Sequence, residues 1–383
     1  MGEEGCSNVF ARNGLGRREF LCGSVAALTA ASFGLAGCSQ YPGSQKANKT
    51  NQSQSANAGK NGITITDQAG KTITLDKVPE RVVTTIMPLP SIFYAVMGAD
   101  NEVLKGCNPA SMPAYRSSVL AAMYPSLEKA NTDWCARDFN VNIEALLALK
   151  PDVVLQWTFM PESIKKMEDA GLKVIALKYG TVDDLKAWIT ILATMMQKND
   201  RAKFLIDYYD KQISEVTART NSIAPDKRPV ALHLYDSLKV FSGFSNYWME
   251  NSGSVNPAKD FKERSAQVNM EQIISWQPEF VYISNFTKIR PSDLYNNTLP
   301  GQDWSQIPAV KHKHIYKIPI GGYRWDPPCM ETPLMVKWLA HLQHPDMFKD
   351  MNMKAEVSQF YKDVYGYSIS EQELSTMLDH TTE

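Results

Sequence analysis

Sliding the chain along itself exposes an internal repeat, which constrains the fold more than any single motif does. Val141-Asn142-Ile143-Glu144-Ala145-Leu146-Leu147-Ala148-Leu149-Lys150-Pro151-Asp152-Val153-Val154 aligns without gaps on Val268-Asn269-Met270-Glu271-Gln272-Ile273-Ile274-Ser275-Trp276-Gln277-Pro278-Glu279-Phe280-Val281, an offset of 127 residues. Each copy has an Asn to cap a helix, a Glu in its first turn, apolar residues on one face and a Pro that stops the helix before a strand. Matching helices before matching strands imply two similar halves. About 320 residues follow residue 62, more than one core commonly serves, which also argues for two domains.

The rest of the pattern fits two α/β halves joined by a long helical stretch. Ile63 to Thr66 and Thr72 to Leu75 alternate around a turn, Asp67 to Gly70, and read as a hairpin. Apolar runs at Val82 to Met87, Val153 to Trp157 and Val174 to Leu177 are separated by helical patterns, as in a sheet covered by helices. Thr181 with Asp183 and Asp184 marks a helix start. From Asp200 to about Asn221, Leu205, Tyr209, Ile213 and Val216 recur at helical spacing, before Pro225 and Pro229. The expected boundaries are an N-terminal lobe over 63–180, a helical spine over 181–224 and a C-terminal lobe over 225–383.

The first 62 residues read as targeting and tether rather than fold. Arg17-Arg18-Glu19-Phe20-Leu21 precedes a short apolar stretch that ends in Leu35-Ala36-Gly37-Cys38. This resembles a twin-arginine signal over 1–38 closing on a lipoprotein box, with Cys38 receiving the lipid. Residues 39–62 are rich in Ser, Asn, Gln, Lys and Gly, the composition of a flexible linker. The expected location is outside the cytoplasmic membrane, at the cell surface or in the periplasm, anchored through that lipid.

A formal net charge of -1 gives no basic field for nucleic acid, so none is expected as a partner. Of six cysteines, Cys107, Cys135 and Cys329 remain beyond the leader. Cys107 and Cys135 are either a disulfide or two buried thiols; spacing does not choose between them. No Gly-x-Ser-x-Gly, phosphate loop or His-Glu-x-x-His occurs, so no enzyme, catalytic residue or cofactor is expected. All six histidines lie at or beyond His233, which argues against a metal held directly between the halves.

Several segments together carry a family resemblance. Ile65 to Leu75, Val78-Pro79-Glu80-Arg81-Val82-Val83, both copies of the repeat, Trp304 to Ile318, Trp325-Asp326-Pro327-Pro328 with Glu331, and Phe360 to Tyr367 resemble the binding proteins of ABC importers for iron-siderophores, haem and cobalamin. The resemblance implies two α/β lobes joined by a rigid helical spine, a ligand cleft between them and modest closure. It implies a monomer that binds a metal chelate, a ferric siderophore first and haem or a corrinoid as alternatives, and delivers it to a permease dimer with its cytoplasmic ATPase. It also implies that Glu144 and Glu271, one per lobe, meet that permease. A chelatase, or a surface receptor without transport, is the rival reading. Tyr124-Pro125 resembles, weakly, the haem-iron tyrosine of some members.

In such a cleft the ligand meets loops at strand ends. That rule selects Met87, Trp157, Thr158 and Tyr179 in the first lobe, and Tyr235, Asn285, Phe286, Tyr323, Arg324 and Trp325 in the second. Phe244, Tyr247, Trp248 and Trp134 join them on residue type. Aromatic faces suit a flat or apolar chelate, and Arg meets carboxylate or catecholate charge. Gly321-Gly322 are expected to let their loop turn while presenting Tyr323, Arg324 and Trp325.

Overall fold

The structure is a computed structural model that describes residues 62–379. The paired arginines, Cys38 and the tether through residue 61 lie outside the described residues. The chain opens on the expected hairpin, β1 (Ile63–Thr66) antiparallel to β2 (Thr72–Leu75), with Ile65 opposite Ile73. The Asp67 carboxylate closes the turn by accepting from the N–H groups of Ala69 and Lys71 at 2.9 and 2.8 Å. It also accepts from Ala176 N–H at 3.0 Å and so pins the hairpin to the first sheet.

That sheet is all parallel, in the order β4 (Leu104–Cys107), β3 (Val82–Thr84), β5 (Val153–Trp157), β6 (Val174–Leu177). Strands β3, β5 and β6 are buried at every residue, as continuous apolar runs covered on both faces should be. The run expected to extend to Met87 stops as a strand at Thr84. There Thr84 Oγ1 accepts from Ile86 N–H at 3.0 Å, and the backbone turns toward Pro88.

The second sheet is mixed, in the order β11 (Ile315–Lys317), β10 (Phe280–Ile283), β7 (Ala231–Asp236), β8 (Lys239–Phe241), β9 (Ser265–Gln267). Its parallel part, β7-β10-β11, repeats the order β3-β5-β6 of the first. The antiparallel strands β8 and β9 are an addition peculiar to this lobe.

The repeat holds down to single hydrogen bonds. Asn142 caps its helix, Ile143–Ala148, by accepting from Ala145 N–H at 3.1 Å, and Asn269 caps Met270–Trp276 by accepting from Gln272 N–H at 2.8 Å. Lys150 and Gln277 both leave their helices at φ 47°. Asp152 then accepts from Arg81 N–H at 2.9 Å and Glu279 from Val230 N–H at 3.2 Å, each tying its strand to the first strand of its own sheet.

Between the sheets, Thr181 and Asp184 form a reciprocal capping box on Val182–Met195, and a 22-residue helix follows at Asn199–Thr220. At 1.5 Å per residue that helix is a rod of about 33 Å. It buries Leu205, Tyr209, Ile213 and Val216 and packs on Thr332–Gln343. One apolar cluster runs from Val82 and Leu155 through Leu205 and Tyr209 to Leu334 and Phe360, so the helices share a core with both sheets. Cys107, Cys135 and Cys329 are free and buried.

Candidate ligand-binding site

Strand ends of the two sheets converge on one pocket with about 520 Å³ of empty space, its mouth included. From the first lobe come Met87 and Pro88 after β3, Trp157 at the end of β5 and Tyr179 after β6. The second supplies His233 and Tyr235 on β7, Phe241 at the end of β8, Phe286 after β10, and Tyr323, Asp326 and Pro327. The aromatic rings are fixed against one another: Trp157 meets Tyr179 edge-on at 5.6 Å, and Tyr235 meets Phe241 and Phe286 at 5.6 and 5.8 Å.

Within this apolar wall sits a buried polar pair. Asp326 Oδ2 accepts from Ser284 Oγ at 2.5 Å and lies 3.7 Å from His233 Nε2, a separation that is electrostatic rather than a hydrogen bond. Burial pushes the Asp326 carboxyl upward, but His233, Ser284 and Arg324 outweigh it and hold the group below its ordinary range, as a carboxylate. Asp326 Oδ1, both ring nitrogens of His233 and the indole nitrogen of Trp157 have no hydrogen-bond partner within the described residues. Such groups cost about 1–3 kcal/mol each until something meets them, and all three side chains line the pocket.

The loop bearing Tyr323 and Asp326 is held from behind. Glu331 Oε1 accepts from the N–H groups of Gly322 and Tyr323 at 2.6 and 3.3 Å, and burial raises the Glu331 carboxyl to about 7. The glycines were expected to supply a turn, yet neither has a positive φ. They are needed because a Cβ on Gly322 would stand 2.6 Å from Glu331 Oε1, and one on Gly321 2.7 Å from the Trp325 indole nitrogen. Lys317 clamps the neighbouring loop by donating to the carbonyls of Ser284, Thr287 and Ile289 at 2.9, 2.7 and 2.8 Å, and burial lowers its ammonium to about 8.

Of the residues expected at a cleft, Met87, Trp157, Tyr179, Tyr235, Phe286 and Tyr323 line this pocket. Others stand behind it. Arg324 stacks on Phe286 at 4.4 Å and on Tyr323 at 5.7 Å. Trp248 is fully buried, meets His233 edge-on at 5.2 Å and donates its indole N–H to Asp326 O at 3.3 Å. Asn285 donates to Ile318 O, Thr158 N–H to Leu177 O at 2.9 Å, and Trp325 is fully buried in the core. Phe244 stacks on Tyr247 at 5.6 Å away from the lining. Trp134 belongs elsewhere altogether: it packs with Val83, Leu146 and Val154, and its indole N–H donates to Asn131 O at 3.1 Å. Tyr124 stacks on Tyr94 at 4.4 Å and is likewise no part of the lining.

Sequence reasoning passed over His233, Phe241 and Asp326. The two-residue period of a strand puts His233 on the same face as Tyr235, and that signal was present. Phe241 ends a three-residue strand too short to show a period.

A family model described as "Periplasmic binding protein" matches residues 135–320. The crystal structure of a periplasmic solute binding protein from Veillonella parvula is 36% identical, with a TM-score of 0.76 over 82% of this chain and 96% of that one. The molybdate-binding protein MolA of Haemophilus influenzae is 27% identical over 250 residues, 59% of this chain and 70% of MolA. The uncharacterized ABC transporter substrate-binding lipoprotein YvrC of Bacillus subtilis is 24% identical over 343 residues, 86% of this chain and 98% of its own.

Proposed function

This chain belongs to the periplasmic binding proteins of the iron-complex class, extracytoplasmic solute-binding components of ABC importers, and we propose that its cargo is a metal chelate, a ferric siderophore in the first place. Relatives are named for the solutes they bind, among them a molybdate-binding protein and a periplasmic solute binding protein. The observation that carries the reading is the pocket of Trp157, Tyr179, Tyr235, Phe286 and Tyr323. Rigid aromatic walls suit the flat or apolar surface of a chelate, and the unpartnered polar atoms of His233, Asp326 and Trp157 suit its polar groups. Haem and a corrinoid are the alternatives; three vitamin B12-binding proteins are among the relatives, and a periplasmic haem-binding protein shares the fold. Molybdate is a second reading, favoured by MolA. In this reading the protein needs no cofactor, works as a monomer and is held at the membrane by lipid on Cys38. Glu144 and Glu271, exposed on matching helices, meet the permease.

Trp157 makes the pocket readable by emission, because metal chelates absorb where indole emits. We expect a ferric siderophore to quench the protein's fluorescence saturably and Trp157→Phe to weaken binding about tenfold or more. Haemin, cobalamin and molybdate are titrated alongside. Quenching by one of these and not by siderophores moves the cargo to that ligand. Silence from all four overturns the chelate reading.

A further inference from the structure

Among the described residues four large apolar side chains are exposed, and two of them, Leu147 at 42% and Ile274 at 37%, stand 127 residues apart, the offset of the repeat. The other two, Phe204 and Phe261, have no such relation. One exposed aliphatic residue on a protein surface needs no explanation. A pair in equivalent positions does. The residues just before them, Leu146 and Ile273, are fully buried and fasten the two helices, while Leu147 and Ile274 join none of the three apolar clusters. Folding therefore gains little from either. The exposed position that follows each has drifted, Ala148 against Ser275, yet the carboxylate and the aliphatic chain three residues later are kept in both copies. A spacing of three puts each aliphatic chain on the same helix face as its glutamate.

Each helix returns the chain to the start of a strand, β5 or β10, that pairs parallel with the first strand of its sheet, β3 or β7. The first turn of each helix therefore lies toward the strand ends, the side on which the pocket is built.

We infer that each lobe carries, one turn after its docking glutamate, an aliphatic knob, Leu147 or Ile274, that seats on the permease dimer. Each knob calls for an apolar hollow on that partner, in two equivalent copies. The inference rests on the docking role of Glu144 and Glu271 given above and adds Leu147 and Ile274 to it. The division of labour follows from the forces involved. Exposed carboxylates steer association and are screened by salt, whereas a knob that loses its water on contact sets how long the complex lasts.

The test uses the whole chain and its permease–ATPase complex in lipid nanodiscs, with binding measured at low and high salt. Leu147→Ser with Ile274→Ser is expected to weaken binding about tenfold, through faster dissociation, with the salt dependence unchanged and each single variant contributing similarly. Glu144→Ala with Glu271→Ala is expected to weaken binding at low salt and flatten the salt dependence. Melting temperature and ligand-induced quenching serve as controls that neither pair disturbs. If the glutamate pair weakens binding and the aliphatic pair does not, this inference is overturned and the docking role stands. If neither pair weakens binding, both are overturned. A loss confined to one aliphatic residue also overturns it, because the sockets are then not equivalent.

Discussion

The helices Ile143–Ala148 and Met270–Trp276 are nearly interchangeable, whereas the two walls of the pocket are not. Outside, the lobes share an Asn cap, a glutamate, a buried and then an exposed aliphatic residue, and a left-handed exit at the same φ. Inside, the first lobe offers Met87, Pro88, Trp157 and Tyr179, while the second adds an extra pair of strands, a buried His233–Asp326 pair and a loop tied down by Glu331. Under the docking role proposed for Glu144 and Glu271, a surface that meets a two-fold partner must present the same thing twice. A wall that encloses one asymmetric ligand has no such constraint, so the copies diverge there.

The largest expected effect bears on the inner difference. Glu331 titrates at about 7 in the folded protein because it is buried, against an ordinary 4.5. Between these values the folded state holds a proton that the unfolded chain has released, so stability falls as pH rises through the window, and the full penalty stands above it. The drop is on the order of 3 kcal/mol. Denaturant unfolding of the protein from pH 4.5 to 8 should show this slope, and Glu331→Gln should remove it. If the variant keeps the slope, the loop is not held in this way.

Somewhat smaller is the effect of filling the close approach beneath that loop. Gly321→Ala places a methyl group against Tyr361 and Trp325 and should cost about 1–3 kcal/mol, with weaker ligand binding, because Tyr323 is displaced. Gly171→Ala on the first lobe, where a Cβ meets nothing, is the comparison: its cost comes from φ 84° alone and should leave ligand binding untouched. Equal ligand affinity in the two variants would remove the loop's part in the site.

The smallest effect tests the outer likeness. Asn142→Ala and Asn269→Ala each remove one cap and should each cost about 1 kcal/mol in thermal unfolding. Costs that differ by more than twofold would show that the two helices are alike in sequence but not in what they carry.

By itself the sequence determined those parts of the molecule that local patterning decides. The hairpin at Ile63 to Leu75, strands β5 and β6, the capping box at Thr181, the long helix ending near Asn221 and both copies of the repeat are readable because their signals lie within a few residues of one another. The strand-end rule reached Met87, Trp157, Tyr179 and Tyr235 for the same reason, since each follows or closes a strand whose run is visible, whereas Tyr323 was reached from the run Ile318 to Ile320, just past the strand Ile315–Lys317. Only the tertiary structure decided which aromatic side chains face the pocket and which fill the core. Trp134, Trp157, Trp248 and Trp325 are equally suited to either by type, and all four are buried. What separates them is whether the neighbouring lobe closes over the ring or leaves a cavity beside it. The pairing of His233 with Asp326, the clamp of Lys317 on the 284–289 loop and the approach of Glu331 to Gly322 join segments that are distant along the chain. No local pattern encodes such contacts, because the energy that fixes them comes from burial, which exists only once the sheets and helices have packed.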